Sequence, residues 1–231
     1  MRKAFMSDQS GAVVLLSGGM DSTVLAHHVV RELGHNPVHV LAFDYGQRHA
    51  QELDCAREQA GILNVDSFRI VDLGFVGEMV AAGTTLVHGG DEVPDLASLD
   101  DSQLSQPPTY VPNRNMLLLS LAAAYAEAQG IADVFYGAQA QDEYGYWDCA
   151  TDFLERMNAV LALNRKDAVR IYAPFVTLSK TELVGRGEAL GVDFAKTWSC
   201  YRGGEKPCET CPTCVERAKA FAESGIPDPL V

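Results

Sequence analysis

The chain has 231 residues, of which 47% are hydrophobic, and it carries 31 acidic side chains against 18 basic ones. A chain of this length and apolar content buries a substantial core and commonly forms one domain. The formal net charge of -13 is opposite to the basic surface that a nucleic-acid backbone requires, so no nucleic-acid partner is expected. No apolar run approaches the roughly 18 to 20 residues of a membrane span, and the N-terminus lacks the apolar stretch of a signal peptide. We therefore expect a cytoplasmic protein with no membrane partner.

Strand-like and helix-like segments alternate along most of the chain, which predicts an α/β fold with an open parallel sheet flanked by helices. The predicted strands span 12–16, 38–43, 67–71, 133–136 and 170–173, and the predicted helices span 22–33, 48–60, 115–129, 151–163, 179–190 and 215–222. The stretch 81–112 is rich in Gly, Pro, Asp and Ser. Because it is longer than an ordinary connection, it is predicted to be a lid or a disordered loop.

A glycine-containing loop follows the first predicted strand and opens the first helix. It consists of Leu16, Ser17, Gly18, Gly19, Met20, Asp21 and Ser22. Glycines at 18 and 19 let backbone N–H groups approach an anion at the helix N-terminus. The pattern is neither GxxxxGK[ST] nor GxGxxG. It predicts a phosphate site, against the alternative of a plain turn followed by a helix cap.

Four of the six cysteines are concentrated near the C-terminus, at Cys200, Cys208, Cys211 and Cys214. Four thiolates with two CxxC steps match a closed tetrahedral zinc site. An iron–sulfur cluster or a thiol redox pair remains an alternative, because both use the same residue type. Cys55 and Cys149 stand apart and are expected to be small buried side chains. We therefore divide the chain into an α/β domain with the phosphate site, 1–198, and a C-terminal zinc-binding segment, 199–231, that packs on it.

The loop resembles the SGGxDS pyrophosphate loop of the N-type ATP pyrophosphatases, the PP-loop superfamily. Further stretches resemble the 7-cyano-7-deazaguanine synthase family within it. They are FDYGQRH at 43–49, VPNRN at 111–115 against the family's VPGRN, and SCY at 199–201 followed by the remaining cysteines. The similarity covers nearly the whole chain and implies an adenine nucleotide α-hydrolase-like fold and a homodimer.

This resemblance assigns ATP contacts to the loop and to residues after the second strand, where ligands gather in open α/β sheets. They are Leu16, Ser17, Gly18, Gly19, Met20, Asp21, Ser22, Asp44, Tyr45, Gln47 and Arg48. Asp21 is expected to position Mg²⁺ or the loop, and Arg114 to pair with phosphate or with a substrate carboxylate. Lys180 matches a family lysine and is expected to neutralise the transferring phosphates. Asp142 or Asp148 is expected to handle the protons of ammonia.

The implied reaction is a ligation in queuosine biosynthesis. ATP adenylates the carboxylate of 7-carboxy-7-deazaguanine, ammonia displaces AMP, and a second ATP activates the amide for dehydration to the nitrile. The chain departs from the family pattern at Glu143, Tyr144, Trp147 and Ala150, and Asn113 replaces a glycine. These departures leave open a diverged ligase that stops at the amide or uses another carboxylate.

Two more distant alternatives also follow. A tRNA-thiolating enzyme of the same superfamily is disfavoured by the acidic charge. A nucleotide-sensing or zinc-stabilised interaction module without turnover is disfavoured by the retained loop, the FDYGQRH stretch and Lys180.

Overall fold

The computed structural model describes residues 10–49, 51–139, 146–166 and 168–231. The predicted proton-handling residue Asp142 lies outside the described residues, as do Glu143 and Tyr144. No helix within the described part of the chain is both long enough and apolar enough to cross a membrane.

Five strands and eight α-helices form the described fold. The strands are β1 (Ala12–Leu15), β2 (Val38–Asp44), β3 (Ser67–Asp72), β4 (Asp133–Phe135) and β5 (Arg170–Tyr172). The helices are α1 (Met20–His27), α2 (Gln51–Leu63), α3 (Gly74–Val80), α4 (Asp101–Ser105), α5 (Arg114–Gln129), α6 (Thr151–Leu161), α7 (Lys180–Ala189) and α8 (Pro212–Ser224). The strands run parallel in the order β3-β2-β1-β4-β5. The prediction of an open parallel sheet flanked by helices is confirmed.

The two faces of the sheet have separate apolar cores. Successive strand residues point to opposite faces, so Val13 and Leu41 join one core with residues of α5 and α6. Val14 and Val40 join the other core with residues of α1, α2 and α7. Burial on both sides explains why these strands are continuously apolar in sequence.

The strand order places a switch point beside β1. The chain builds β2 and β3 on one side of β1 and β4 and β5 on the other. The loops that leave β1 and β4 therefore diverge at this point, and ligands of open α/β sheets bind in the crevice between such loops. The two loops pack closely together. There is little room for a side chain at Gly137, where an added Cβ would lie 3.1 Å from the Cα of Ser22.

The segment 81–112 is part of the folded body. It contains a 3₁₀ turn at Leu96–Ser98 and the short helix α4. Its side chains Leu86, Val87, Val93 and Val111 are buried in the core that contains α5. The alternative of a disordered loop is therefore wrong, while closure over the site as a lid stays a prediction.

Candidate active site

A cavity of about 270 Å³ opens at the carboxyl ends of the central strands. It collects most of the predicted site residues, namely Leu16, Ser17, Gly19, Met20, Asp21, Ser22, Tyr45, Gln47, Arg114 and Lys180. Among the described residues, Gly18, Asp44 and Arg48 do not line it. The cavity is thus lined by both the glycine loop and Arg114, and we refer to the parts beside them as its two ends.

Two serine hydroxyls organise the glycine loop. The Oγ atoms of Ser17 and Ser22 lie 3.0 Å apart. Ser17 Oγ also accepts a hydrogen bond of 3.1 Å from the backbone N–H of Gly19, and Ser22 Oγ donates one of 3.2 Å to the Gly19 carbonyl. Gly19 is the N-cap of α1 and has no side chain to cap the helix. The helix N-terminus and both hydroxyls therefore face the cavity, as an anion site requires.

Gly18 serves the packing of the loop. Its φ is +91°, and an added Cβ would lie 1.9 Å from the carbonyl oxygen of Glu52 in α2. The Gly18 carbonyl in turn accepts a hydrogen bond of 3.0 Å from the backbone N–H of Trp198. Glycine is required here because no other residue fits both the backbone angle and the close approach.

Asp21 projects into the cavity from the first turn of α1. Its Oδ2 accepts a hydrogen bond of 3.2 Å from the amide of Gln139, and its buried Oδ1 has no partner among the described residues. Burial raises the pKa of Asp21, and the nearby charges of Lys180 and Arg217 oppose that shift. A buried carboxylate oxygen without a donor is suited to a cation.

The residues after β2 have two structural roles. Some shape the turn beside the cavity, and one bonds the 81–112 segment. The Gln47 amide accepts a hydrogen bond of 2.8 Å from the Tyr45 backbone and donates one of 3.0 Å to the Phe43 carbonyl. Arg48 donates to the backbone carbonyls of Thr85 and Asp91, each at 3.1 Å. Asp44 accepts from the Gly46 backbone N–H at 3.1 Å. Gln47 and Asp44 thus shape this turn and Arg48 holds the 81–112 segment, while their predicted nucleotide contacts stay predictions.

The far end of the cavity is built around Arg114. Its Nη1 donates a hydrogen bond of 3.2 Å to the Tyr45 hydroxyl, and its guanidinium carbon lies 5.8 Å from the centre of that ring. Asp148 is 3% exposed, and burial raises its pKa against the opposing charge of Arg114. The buried hydroxyl of Tyr136 has no partner in the described part of the structure. A cation, an acid and a hydroxyl therefore line the same cavity.

Asn113 precedes Arg114 and takes the place of the family's glycine. Its φ of +55° lies in the left-handed region, which asparagine tolerates better than most residues. The expectation that asparagine suits this position agrees with the observed angle. The substitution therefore leaves the approach to α5 intact.

Trp147, which departs from the family pattern, belongs to a group of aromatic side chains that we call the aromatic wall. The Trp147 indole N–H donates a hydrogen bond of 3.1 Å to the Tyr110 hydroxyl, and its ring meets Phe153 edge-on at 5.4 Å. The Thr109 and Tyr146 hydroxyls lie 2.6 Å apart alongside. Tyr110 and Tyr146 line the cavity, so these contacts tie the 81–112 segment to the turn after β4.

The four cysteines lie together beside the cavity. Their sulfur atoms are all within 4.8 Å of one another, and Cys208 Sγ and Cys214 Sγ are 3.9 Å apart. A single tetrahedral ion with metal–sulfur bonds of about 2.3 Å requires sulfurs about 3.8 Å apart. Hydrogen bonds from Cys200 and Cys214 lower the pKa of Cys211 far below its ordinary value. The set therefore fits a mononuclear metal site, and it packs against the core that contains α5.

The C-terminal segment also contributes cavity residues that no sequence pattern indicated. Glu216 and Arg217 of α8 line the cavity, and Lys180 forms an ion pair with Glu216. Arg217, which is 4% exposed, holds Asp228 through hydrogen bonds of 2.8 and 2.9 Å. The only signal in the sequence is that they follow Cys214 by two and three residues, and their place in the cavity depends on the packing of α8 against α7.

The sheet order, the glycine loop at the switch point and the cavity beside it define this protein as an open α/β protein with a glycine loop that resembles the PP-loop. The family model described as Queuosine biosynthesis protein QueC matches residues 11–225. The chain belongs to that family.

Curated relatives agree with this family over nearly the full chain. The chain is 41% identical to the 7-cyano-7-deazaguanine synthase of Psychromonas ingrahamii, with coverage of 94% of this chain and 96% of the relative. It is 43% identical to the enzyme of the same name from Thermoplasma acidophilum, with 96% and 92% coverage. Among solved structures, the NMN synthetase of Francisella tularensis shares the fold, with a TM-score of 0.52 and 18% identity over 95% of this chain and 79% of that one.

Proposed function

We propose that this enzyme converts 7-carboxy-7-deazaguanine and ammonia to 7-cyano-7-deazaguanine through two adenylated intermediates, with two ATP consumed. The observation that carries the proposal is one continuous cavity, with the serine-lined glycine loop at one end and Arg114 with Asp148 at the other. This arrangement suits a nucleotide whose α-phosphate must meet a carboxylate held by the opposite end. The names of the curated relatives support the same product.

We call the end of the cavity beside the glycine loop the phosphate end, and we assign it to the pyrophosphate of ATP. Ser17 and Ser22 supply hydroxyl donors, Gly19 opens the N-terminus of α1, and Lys180 supplies a cation. Asp21 Oδ1, which has no hydrogen-bond partner among the described residues, fits Mg²⁺, and that ion would neutralise phosphate charge when bound. Charge that develops on departing pyrophosphate is stabilised by this set of donors.

We assign the opposite end to the acceptor. Arg114 offers a planar fork of donors that matches a carboxylate, and Tyr45 fixes the guanidinium in place. The carboxylate oxygen attacks the α-phosphorus, so that a phosphorus–oxygen bond forms as the bond to pyrophosphate breaks. Exclusion of water by the aromatic wall protects the acyl adenylate from hydrolysis.

We assign the ammonia step to a buried carboxylate. Ammonia attacks the acyl carbon, AMP departs with one carboxylate oxygen, and the surplus proton of the new amide must be taken up. Asp148 lines the cavity and is nearly fully buried, and its raised pKa suits a group that accepts and returns a proton. Asp142 remains a second candidate for this role.

We assign Zn²⁺ to the four thiolates and a structural role to that ion. The sulfur separations support this, because the four cysteines of an iron–sulfur cluster are divided among two or more irons, so that they cannot all lie this close together. The enzyme is expected to act in the cytoplasm as a homodimer, which rests on the family resemblance.

The test is to incubate the purified enzyme with ATP, Mg²⁺, ammonium and 7-carboxy-7-deazaguanine and to follow the products by mass spectrometry. The proposal expects nitrile, AMP and pyrophosphate, with two AMP per nitrile. Amide without nitrile, or AMP only with another carboxylate, would instead establish the diverged ligase. Absence of both AMP and nitrile would rule out the proposed reaction.

A further inference from the structure

Glu216 holds Lys180 in an ion pair on the wall of the cavity. Lys180 Nζ contacts Glu216 Oε2, and the two side chains are only 18% and 10% exposed. Both line the main cavity together with Ser17, Asp21 and Ser22. A carboxylate in such contact offsets the lysine charge that a bound phosphate would otherwise experience.

The pair also borders a second, smaller cleft. This cleft of about 80 Å³ is lined by Lys180, Glu216, Lys219 and Glu223, among others. Lys219 follows Glu216 by one turn of α8, a spacing at which helix side chains can meet. Glu216 therefore shares this cleft with a second cation, toward which it can turn when Lys180 engages another anion.

The position of Glu216 depends on the four-cysteine segment. Helix α8 begins directly after Cys211 and contains Cys214, two residues before Glu216. Trp198, directly before this segment, bonds the glycine loop, because its backbone N–H donates to the Gly18 carbonyl at 3.0 Å, and its indole N–H donates to the Cys200 carbonyl at 3.0 Å. Trp198 thus links the cysteine cluster to the glycine loop.

We propose that Glu216 is an internal counter-ion of Lys180 that pyrophosphate displaces. In the free enzyme Glu216 holds the ammonium of Lys180 beside the phosphate end. When the pyrophosphate group binds, Lys180 turns to it, and the return of Lys180 to Glu216 favours release of the product. Glu216 is thus a positioning residue, and this role rests on the proposed function only in that the phosphate end binds pyrophosphate.

The experiment measures binding of inorganic pyrophosphate with Mg²⁺ by calorimetry. Removing one charge beside a partly buried anion changes affinity by about tenfold, so Glu216→Gln is expected to bind pyrophosphate about tenfold more tightly. Glu216→Asp keeps the charge and is expected to stay near wild type. Glu223→Gln is the matched control, because that carboxylate lies on the same helix and accepts from Thr181 at 2.7 Å. Unchanged metal content and melting temperature in Glu216→Gln exclude a purely structural cause.

A crystal structure with Mg²⁺ and pyrophosphate supplies a second readout. The proposal expects Lys180 Nζ to bond a phosphate oxygen and to leave Glu216. An intact Lys180–Glu216 pair with pyrophosphate bound, equal or weaker affinity in Glu216→Gln, or no pyrophosphate binding by the wild type would each overturn it. Pyrophosphate binding without nitrile formation would instead remove the proposed reaction and leave this role of Glu216 standing.

Discussion

The amide of Gln139 donates a hydrogen bond of 3.2 Å to Asp21 Oδ2 across 118 residues of sequence. This contact joins the loop after β4 to the first turn of α1, the two loops that diverge at the switch point. It also orients Asp21 so that its other carboxylate oxygen stays buried without a partner among the described residues. The acid is thereby held in place before any cation arrives, which is the preorganisation that a phosphate-transfer site requires.

Replacing Asp21 by asparagine is therefore expected to remove ATP turnover without unfolding the protein. The amide has nearly the same shape but cannot neutralise a cation, so kcat/KM for ATP should fall by about 100-fold or more. Pyrophosphate release at varied Mg²⁺ measures this. Asp54→Asn is the control, because Asp54 forms an exposed pair with Arg57 on the surface of α2. Equal losses in the two variants would contradict the assignment.

Gly18→Ala is expected to destabilise the protein and weaken ATP binding. The left-handed backbone alone costs about 1–3 kcal/mol for a residue with a side chain, and the new Cβ would overlap the Glu52 carbonyl. Gly185→Ala is the control, because a Cβ there meets no atom within 4 Å inside α7. That substitution should raise stability by up to about 1 kcal/mol. Thermal melts compare the two, and a wild-type melting temperature for Gly18→Ala would contradict the geometry.

Cys211→Ser is expected to lose the metal and lower the melting temperature. Elemental analysis of the wild type should find about one zinc ion per chain. Cys55→Ser is the control and should keep the metal, because Cys55 is not part of the four-cysteine cluster. Iron with labile sulfide in the wild type would refute the mononuclear zinc assignment.

Trp147→Phe is expected to weaken binding of the acceptor substrate and to leave binding of ATP unchanged. The substitution keeps an aromatic ring beside Phe153 but removes the indole hydrogen bond to Tyr110. A neutral hydrogen bond contributes about 0.5–1.5 kcal/mol, so KM for the acceptor should rise about 2- to 10-fold. Tyr110→Phe removes the same bond, so the double variant should be no worse than the more impaired single one. A change confined to KM for ATP would count against this wall as an acceptor element.

Burial of Asp148 is expected to make the free energy of unfolding depend on pH. Burial raises its pKa above the ordinary 3.8. Its contribution to the free energy of unfolding is therefore fully present below about pH 3.8 and is lost as the pH rises through the pKa of the folded state. Asp148→Asn should therefore gain stability relative to wild type as the pH rises toward neutral in urea unfolding.

Glu182 provides the opposite case. Its pKa is lowered by bonds from Ser179, so Glu182→Gln should lose stability at neutral pH and less below its folded pKa.

The sequence was most informative where local chemistry decides the structure. The glycine loop and the Ser179–Glu182 capping box form through contacts within a few residues, and the structure contains both. The strands are recognisable as apolar runs because both faces of the sheet are buried, although each strand pairs with a distant part of the chain. The helix predicted over 48–60 begins instead at Gln51. The turn before it is closed by side-chain bonds of Gln47, which no periodicity reveals.

The remainder depends on contacts between distant parts of the chain. Gly18 was expected to admit an anion, but the atom that forbids a side chain there belongs to Glu52 in α2. Arg48 is expected at the nucleotide, which stays a prediction, and its guanidinium also bonds the backbone of the 81–112 segment. Glu216 reaches the cavity only because α8 packs against α7 after the cysteine cluster. A spacing pattern cannot encode such packing, because its partners are set by the whole fold.

The central claim is that ATP activates a carboxylate in this cavity by transfer of its adenylyl group. The most direct measurement uses 7-carboxy-7-deazaguanine labelled with ¹⁸O in both carboxylate oxygens, with ammonium, ATP and Mg²⁺, followed by mass spectrometry of the nucleotide products. The account predicts that each AMP carries one ¹⁸O, because both the acid and the amide surrender their oxygen to the α-phosphate. Unlabelled AMP, or formation of ADP in its place, would contradict it.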